Sequence, residues 1–317
     1  MLARIRAAEI AWLNVRLSLE FIQATRTWID DDLISALLVA GVLSANVEAA
    51  QQQPEELRRF LEPGGLPDEA RRPVNAMSVA LSLGIPRETA RVKLANLLDR
   101  GLLEKRNGGV ILSNGVITSE PFLGAMRHFL TAISDFIEGL AELEACGVLV
   151  GDKMADPPWS IGGVATRLVT THVLRGIDYA RELNPALSLT THYILLSLSH
   201  LTGAALRLSP DIPDAASRLL AVNAGHGPVS VAELSRFTRL PDETVRRQVL
   251  RLENMELAVR ARGGRDINLG NPALISRWQD FQSRTTVSTR QVVWKLFYAG
   301  VIVRGRAHGL TLNVLER

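Results

Sequence analysis

The chain carries one 37-residue pattern twice, and that repetition limits what it can fold into. Residues 73–109 align without a gap on residues 228–264, 155 positions further on. The two stretches share 10 identities: Pro73/Pro228, Val74/Val229, Pro86/Pro241, Glu88/Glu243, Thr89/Thr244, Arg91/Arg246, Leu97/Leu252, Leu102/Leu257, Gly108/Gly263 and Gly109/Gly264. Composition alone gives roughly two or three. The chain is therefore read as duplicated, and the repeated unit is where function is sought.

Within the first copy, Ala90, Leu94 and Leu97 recur at i, i+4 and i+7, the apolar stripe of a helix. Gly101 sits where a left-handed residue ends such a helix. Leu102 to Arg106, then Asn107-Gly108-Gly109, then Val110 to Leu112 predicts strand, turn, strand. Upstream, 74–83 predicts a short helix with Asn75 as N-cap and Val74 and Val79 as a hydrophobic staple. The second copy carries Ser230 with Glu233 as a capping box and Val229 with Leu234 as the staple. Gly84-Ile85-Pro86 is a turn between two helices, so each copy reads as helix, turn, helix and hairpin.

The remainder predicts helices. Residues 3–26 place Ile5, Ile10, Leu13, Leu17 and Phe21 on one face, with Arg6, Arg16 and Glu20 mostly elsewhere. Asp30-Asp31-Asp32 suits the positive end of a helix over 32–52 better than a metal site. Residues 54–73 and 152–159 read as linkers, and 119–146 as a helix capped by Ser119. The second half echoes this plan with helices at 161–183, 188–206 and 272–299, a linker at 209–227, and an unmatched strand or tail at 309–315. The expected fold class is mostly α, with two tandem pseudo-repeats, each a helical segment plus a helix-turn-helix with a small β-hairpin. Its segments are 1–53 (helical, repeat 1), 73–114 (helix-turn-helix 1), 119–151 (connecting or dimerisation helix), 160–222 (helical, repeat 2), 228–270 (helix-turn-helix 2) and 272–317 (C-terminal helix and tail).

With 317 residues, 47% hydrophobic and 22% charged, the chain has enough apolar sequence for two or three packed domains. A net charge of +3 excludes a polycation, so any nucleic-acid footprint must be local. Pro86 to Gly109 holds six basic and three acidic residues, Pro241 to Arg265 six and four, hence +3 and +2. The single cysteine, Cys146, allows no intramolecular disulfide and is expected as a small core residue in a cytoplasmic protein. No signal peptide is read in the N-terminus. The apolar runs 33–47 and 193–206 are too short to span a bilayer and are expected as buried helices, so no membrane partner is expected.

The repeated unit resembles the winged helix-turn-helix of bacterial transcription regulators. Arg87-Glu88-Thr89-Ala90-Arg91 and Glu243-Thr244-Val245-Arg246-Arg247 are similar to the R-E-T-V-x-R start of the recognition helix in the cyclic-AMP-receptor type. Leu-x-x-Leu, Gly-Leu-Leu and a basic hairpin resemble the MarR and GntR groups. The resemblance covers about 40 residues in each copy. It implies a helix in the major groove and a wing along the phosphates. The DNA-binding candidates it implies are Arg87, Glu88, Thr89, Arg91, Lys93, Lys105 and Arg106 in the first copy. In the second they are Thr244, Arg246, Arg247, Arg251, Arg260, Arg262 and Arg265. Val92 and Asp242 depart from the pattern, each standing where an arginine is expected.

No phosphate-binding glycine loop, G-x-S-x-G elbow or H-E-x-x-H motif is present. His172, His192 and His200 are expected as core or surface residues rather than metal ligands. Trp12, Trp28, Trp159, Trp278 and Trp294 are expected as core anchors. The expectation is a non-enzymatic regulator of transcription, without cofactor, binding double-stranded DNA as a homodimer. A small-molecule effector is compatible with the sequence but not indicated by it. The alternatives are a tandem winged-helix replication initiator and a protein-interaction scaffold that does not bind DNA.

Overall fold

The computed structural model describes residues 2–30, 32–51, 68–146, 148, 159–204, 227–304 and 310–312. Asp31 and most of the three expected linkers lie outside the described residues, as do the side chains of Ile5 and Trp159. The protein is mostly helical. In chain order come α1 (Leu2–Ile29), α2 (Leu33–Gln51), α3 (Ala76–Ser82), α4 (Arg87–Asp99), β1 (Glu104–Arg106), β2 (Gly109–Ile111) and α5 (Asn114–Ile117). Then follow α6 (Glu120–Glu142), α7 (Trp159–Leu183), α8 (Leu189–Leu201), α9 (Val231–Thr238), α10 (Asp242–Asn254), β3 (Ala258–Ala261) and β4 (Gly264–Ile267). The last are α11 (Pro272–Tyr298), β5 (Ile302–Arg304) and β6 (Leu310–Leu312). Among the described residues the strands form three antiparallel pairs, and the tail segment that has no counterpart in the first half pairs with β5.

The chain divides into two compact units that are not successive in sequence. One joins Met1–Leu19 to Gly176–Thr289 and contains the second copy. The other joins Glu20–Arg175 to Arg290–Arg317 and contains the first. The division falls inside α1, α7 and α11.

In the unit holding the first copy, α2 packs on α3, α4 and β2. Its Asn46, 1% exposed, donates from Nδ2 to the Arg72 and Val110 carbonyls at 2.8 and 3.0 Å and accepts from Leu112 N at 3.0 Å. One side chain thus satisfies three backbone groups at the foot of the hairpin. In the other unit α8 has the corresponding place. Ile194, Leu195 and Leu198 share a core with Leu234 of α9, Val245, Val249 and Leu252 of α10, and Ile267 of β4. Thr191 Oγ1 donates to Gln248 Oε1 at 2.7 Å, fixing α8 to α10. The N-terminal part of α1 joins this unit, with Trp12 stacked on His200 at 5.4 Å and Asn14 Nδ2 donating to Thr289 Oγ1 at 2.9 Å.

The expected amphipathic face of α1 is not what forms. Between Ala8 and Ile29 the helix is buried almost all round, with Glu9 1%, Asn14 6%, Ser18 7% and Thr25 4% exposed. Asn14, Ser18 and Thr25 fit because each donates to the carbonyl four residues back, at 2.7 to 2.9 Å. Trp294 also corrects its expectation, since it is 51% exposed while Trp12, Trp28 and Trp278 are buried.

The two copies share backbone conformation where their residues differ. Gly84 and Arg239, at equivalent positions in the helix–helix turn, have φ of +68° and +52°. Gly101 and Glu256, which end the second helix, have +68° and +57°. Only the first copy uses glycine for these left-handed positions.

Candidate nucleic-acid interface

Each copy begins on a strand residue that pairs with its own hairpin. Val74 bridges Val110 and Val229 bridges Arg265, with N–H···O distances of 2.8 to 3.1 Å. That close approach explains Gly109 and Gly264. A Cβ on Gly109 would lie 2.8 Å from Val74 N, and one on Gly264 would overlap the Val229 carbonyl. Gly109 pairs with Arg106, so the first turn is Asn107-Gly108 alone, shorter than the three residues expected. Both turn residues have positive φ, the geometry of a tight hairpin, whereas in the second turn only Gly263 does.

The first helix of each pair is capped as its sequence implies. Asn75 Oδ1 accepts from Met77 N and Ser78 N, and Ser230 with Glu233 completes its capping box. Pro86 and Pro241 precede the second helices with φ of −57° and −56°. Ala90 with Leu97, and Val245 with Leu252, turn one face inward at 0% exposure each. The opposite face carries the candidates.

In the first copy Arg87, Glu88, Thr89 and Arg91 are exposed on α4, with Arg91 Nε donating to Glu88 at 3.0 Å. Lys93 is turned away from that face and forms an ion pair with Asp32. Asp32 also caps α2, accepting from Ile34 N and Ser35 N at 2.8 and 3.1 Å. Burial opposes ionisation of Asp32, but Lys93 and these amides prevail and hold its carboxyl below the usual range. On the hairpin Lys105 is exposed, while Arg106 is half-buried between Glu104 and Asp68. Val92, 57% exposed, and Leu81, 56% exposed, add apolar surface to this copy.

In the second copy Arg246, Arg247 and Arg251 are exposed on α10, and Thr244 is half-buried. Arg246 pairs with Glu243 at 2.7 Å, and Arg251 Nη2 donates to the Ala186 carbonyl at 2.8 Å. On the hairpin Arg260 and Arg262 are exposed and Arg265 is half-buried. Glu253 takes Arg260 at 3.3 Å and Arg265 at 3.1 Å, bracing the hairpin on α10. Arg247 and Arg262 make no ion pair among the described residues. Asp242, exposed in the first turn of α10, complements the helix dipole.

Most of the ten identities now have a structural reason. Val74 and Val229 bridge the hairpins, Glu88 with Arg91 and Glu243 with Arg246 form the same i,i+3 pair, and Leu97, Leu252 and Leu257 fill cores while Leu102 is only partly buried. Thr89 and Thr244 have none. Neither hydroxyl has a partner among the described residues.

The three histidines fall in different units. His172 lies in one unit against Phe136, with ring centroids 6.2 Å apart, while His192 and His200 lie in the other. Burial, aided by Arg175 beside His172 and Arg16 beside His200, pushes both imidazoles down to about 4. His192 lines a narrow, mostly apolar cleft of about 510 Å³, mouth included, with Leu195, Trp278 and Phe281. No group of three metal-ligating side chains occurs among the described residues. Cys146 is only partly buried, and burial raises its thiol pKa against the pull of Arg290. Among the described residues no helix is long and apolar enough to cross a membrane. Compared with known proteins, the chain matches no family model, no curated protein and no solved structure.

Proposed function

We propose that this chain is a DNA-binding regulator of transcription, and that its two helix–turn–helix–hairpin units are tandem winged helix-turn-helix readers. The observation that carries the reading is the surface of the second copy. Arg246 and Arg247 stand exposed on the first turns of α10, and Arg260 and Arg262 on the adjoining hairpin. An arginine on such a helix offers two donors to guanine, and hairpin arginines meet phosphates. The pairing of Arg246 with Glu243 is an exposed contact of little strength that DNA phosphates replace at small cost, and Glu253, itself largely buried, keeps Arg265 when Arg260 turns to a phosphate. The unpartnered Thr89 and Thr244 add support, because a residue kept in both copies without an internal role suits an external ligand. The test is retention of fragmented genomic DNA on the purified protein at two salt concentrations. Enrichment of a few sites that weakens with salt is expected, and no retention at low salt overturns the reading.

A protein-binding role of the first copy has one observation in its favour, although Leu250 and Val259 leave apolar surface on the second copy as well. In the first copy Leu81 and Val92 are exposed, while Lys93 and Arg106 are engaged by Asp32 and Asp68. On this reading the second copy reads DNA and the first docks a partner. Charge reversal at Lys105 then leaves DNA affinity unchanged, whereas reversal at Arg262 lowers it.

A further inference from the structure

The cleft beside His192 lies wholly within the unit that holds the second copy. Its walls come from the end of α7, from α8, from β4 and from α11. Leu195, Leu196, Ile267, Leu274 and Phe281 make most of the lining apolar. At about 510 Å³ with its mouth, the cleft falls in the size range of small-molecule sites, which are commonly apolar with a few polar groups. Arg277 is exposed at the rim, and its Nη1 donates to Asn184 Oδ1, so its charge stays outside.

Two of the lining side chains carry a polar atom that is shielded from water and has no partner among the described residues. They are His192, 5% exposed, at Nε2, and Trp278, 7% exposed, at Nε1. The two atoms are opposite in kind. An indole nitrogen carries a hydrogen and can only donate. His192 Nδ1 lies 3.0 Å from the Ser188 carbonyl oxygen, which can only accept, so Nδ1 holds the ring's proton and Nε2 is left as an acceptor. Burial keeps the imidazole neutral, lowering its pKa against the pull of the Ser188 carbonyl. Buried donors and acceptors are normally paired, and an unpaired one costs stability. A donor and an acceptor left open in one apolar cleft are together the complement of a hydroxyl, whose oxygen accepts and whose hydrogen is donated.

We propose that this cleft binds a small uncharged alcohol, whose hydroxyl accepts from Trp278 Nε1 and donates to His192 Nε2 while its hydrocarbon body covers Leu195, Ile267 and Phe281. A carboxylate fits less well, because it has no hydrogen to offer the His192 lone pair. A water satisfies the same two atoms but leaves the apolar walls uncovered. Ile267 ends β4, so the bound molecule touches the foot of the second hairpin. The site does not depend on the DNA-binding reading.

The test is titration of the full chain, isotope-labelled at its tryptophan indoles, with n-hexanol and with its isomer methyl pentyl ether. The ether has the same heavy-atom count and accepts a hydrogen bond, but it has no hydrogen to give His192. Five indole N–H signals are expected, one for each tryptophan. Trp278→Phe keeps an aromatic ring and identifies the Trp278 signal by removing it. Hexanol is expected to shift that signal with saturation, and the ether to bind at least about tenfold more weakly. His192→Leu removes the acceptor and should make the two molecules bind alike, with the other four indole signals in place as evidence of an intact fold. A Trp278 signal that hexanol leaves unmoved, or moves without saturation, overturns the proposal, and the cleft then holds water alone. So does equal affinity of wild type for hexanol and the ether, a comparison that stands even if the variant misfolds. A preference for hexanol that survives in His192→Leu overturns it as well, since the hydroxyl then donates elsewhere.

Discussion

Replacing Gly264 by alanine is the sharpest test of how the second hairpin is held. A Cβ there overlaps the Val229 carbonyl carbon and oxygen and lies 2.9 Å from Ser230 N. All three are backbone atoms, so no side chain can rotate away. The strand carrying Val229 must move, and the hydrogen bonds between Val229 and Arg265, both 2.8 Å, lengthen or break. Two such bonds contribute about 1 kcal/mol each, and forced overpacking costs about 1–3 kcal/mol more. The expected loss is therefore about 3–5 kcal/mol, read as a lower urea midpoint. Gly227→Ala is the matched control, because its added Cβ meets nothing within 4 Å and its φ is unstrained. It should change stability by no more than about 0.5 kcal/mol. If Gly264→Ala behaves like the control, the hairpin does not lie against Val229 and the account of the repeated glycine fails.

Four further outcomes are expected. Arg246→Ala with Arg247→Ala should weaken DNA binding at least about tenfold with helicity intact, measured by fluorescence anisotropy; unchanged affinity removes α10 as a reader. Thr244→Val should lower DNA affinity severalfold and leave the unfolding midpoint in place, and a stability loss without an affinity loss would give the threonine a structural role instead. The third concerns pH: His172 and His200 titrate near 4 when folded and near 6.5 when unfolded, so the unfolded chain takes up protons first as pH falls. Their stabilising contribution is complete above 6.5 and declines towards 4, by about 2 kcal/mol each between pH 7.5 and 5. His172→Gln should flatten that decline, and an identical pH profile would refute the assignment. Last, if α11 joins two copies, replacing exposed Trp294 and Tyr298 with serine should halve the mass seen by sedimentation; an unchanged mass removes this face from any dimer.

What sequence reading recovered was local. Caps at Asn75, Ser119 and Ser230 form as expected, because N-capping depends on residues within a few positions. The hairpins follow from glycine-tipped turns for the same reason. Lys93 was illegible because its partner, Asp32, lies 61 residues away. The burial of α1 was hidden because Asn14, Ser18 and Thr25 return their polar atoms to the helix backbone, which no apolar period reveals. Trp294 misleads in the other direction, since a large aromatic ring reads as core wherever it occurs. The division of the chain was illegible too, because nothing in residues 1–19 announces that they belong with residues 176–289.

That discontinuity has a consequence during synthesis. Ile10, Trp12, Leu13 and Leu17 leave the ribosome early, yet the unit that buries them is complete only when residue 289 has been made. At about 5–20 residues per second the wait is on the order of 10–50 s. Throughout it an apolar helix with nothing to cover it is open to self-association or to capture by a chaperone. Slower elongation lengthens that exposure, so the yield of soluble protein should follow translation rate and chaperone supply more closely than the equilibrium stability of the finished chain.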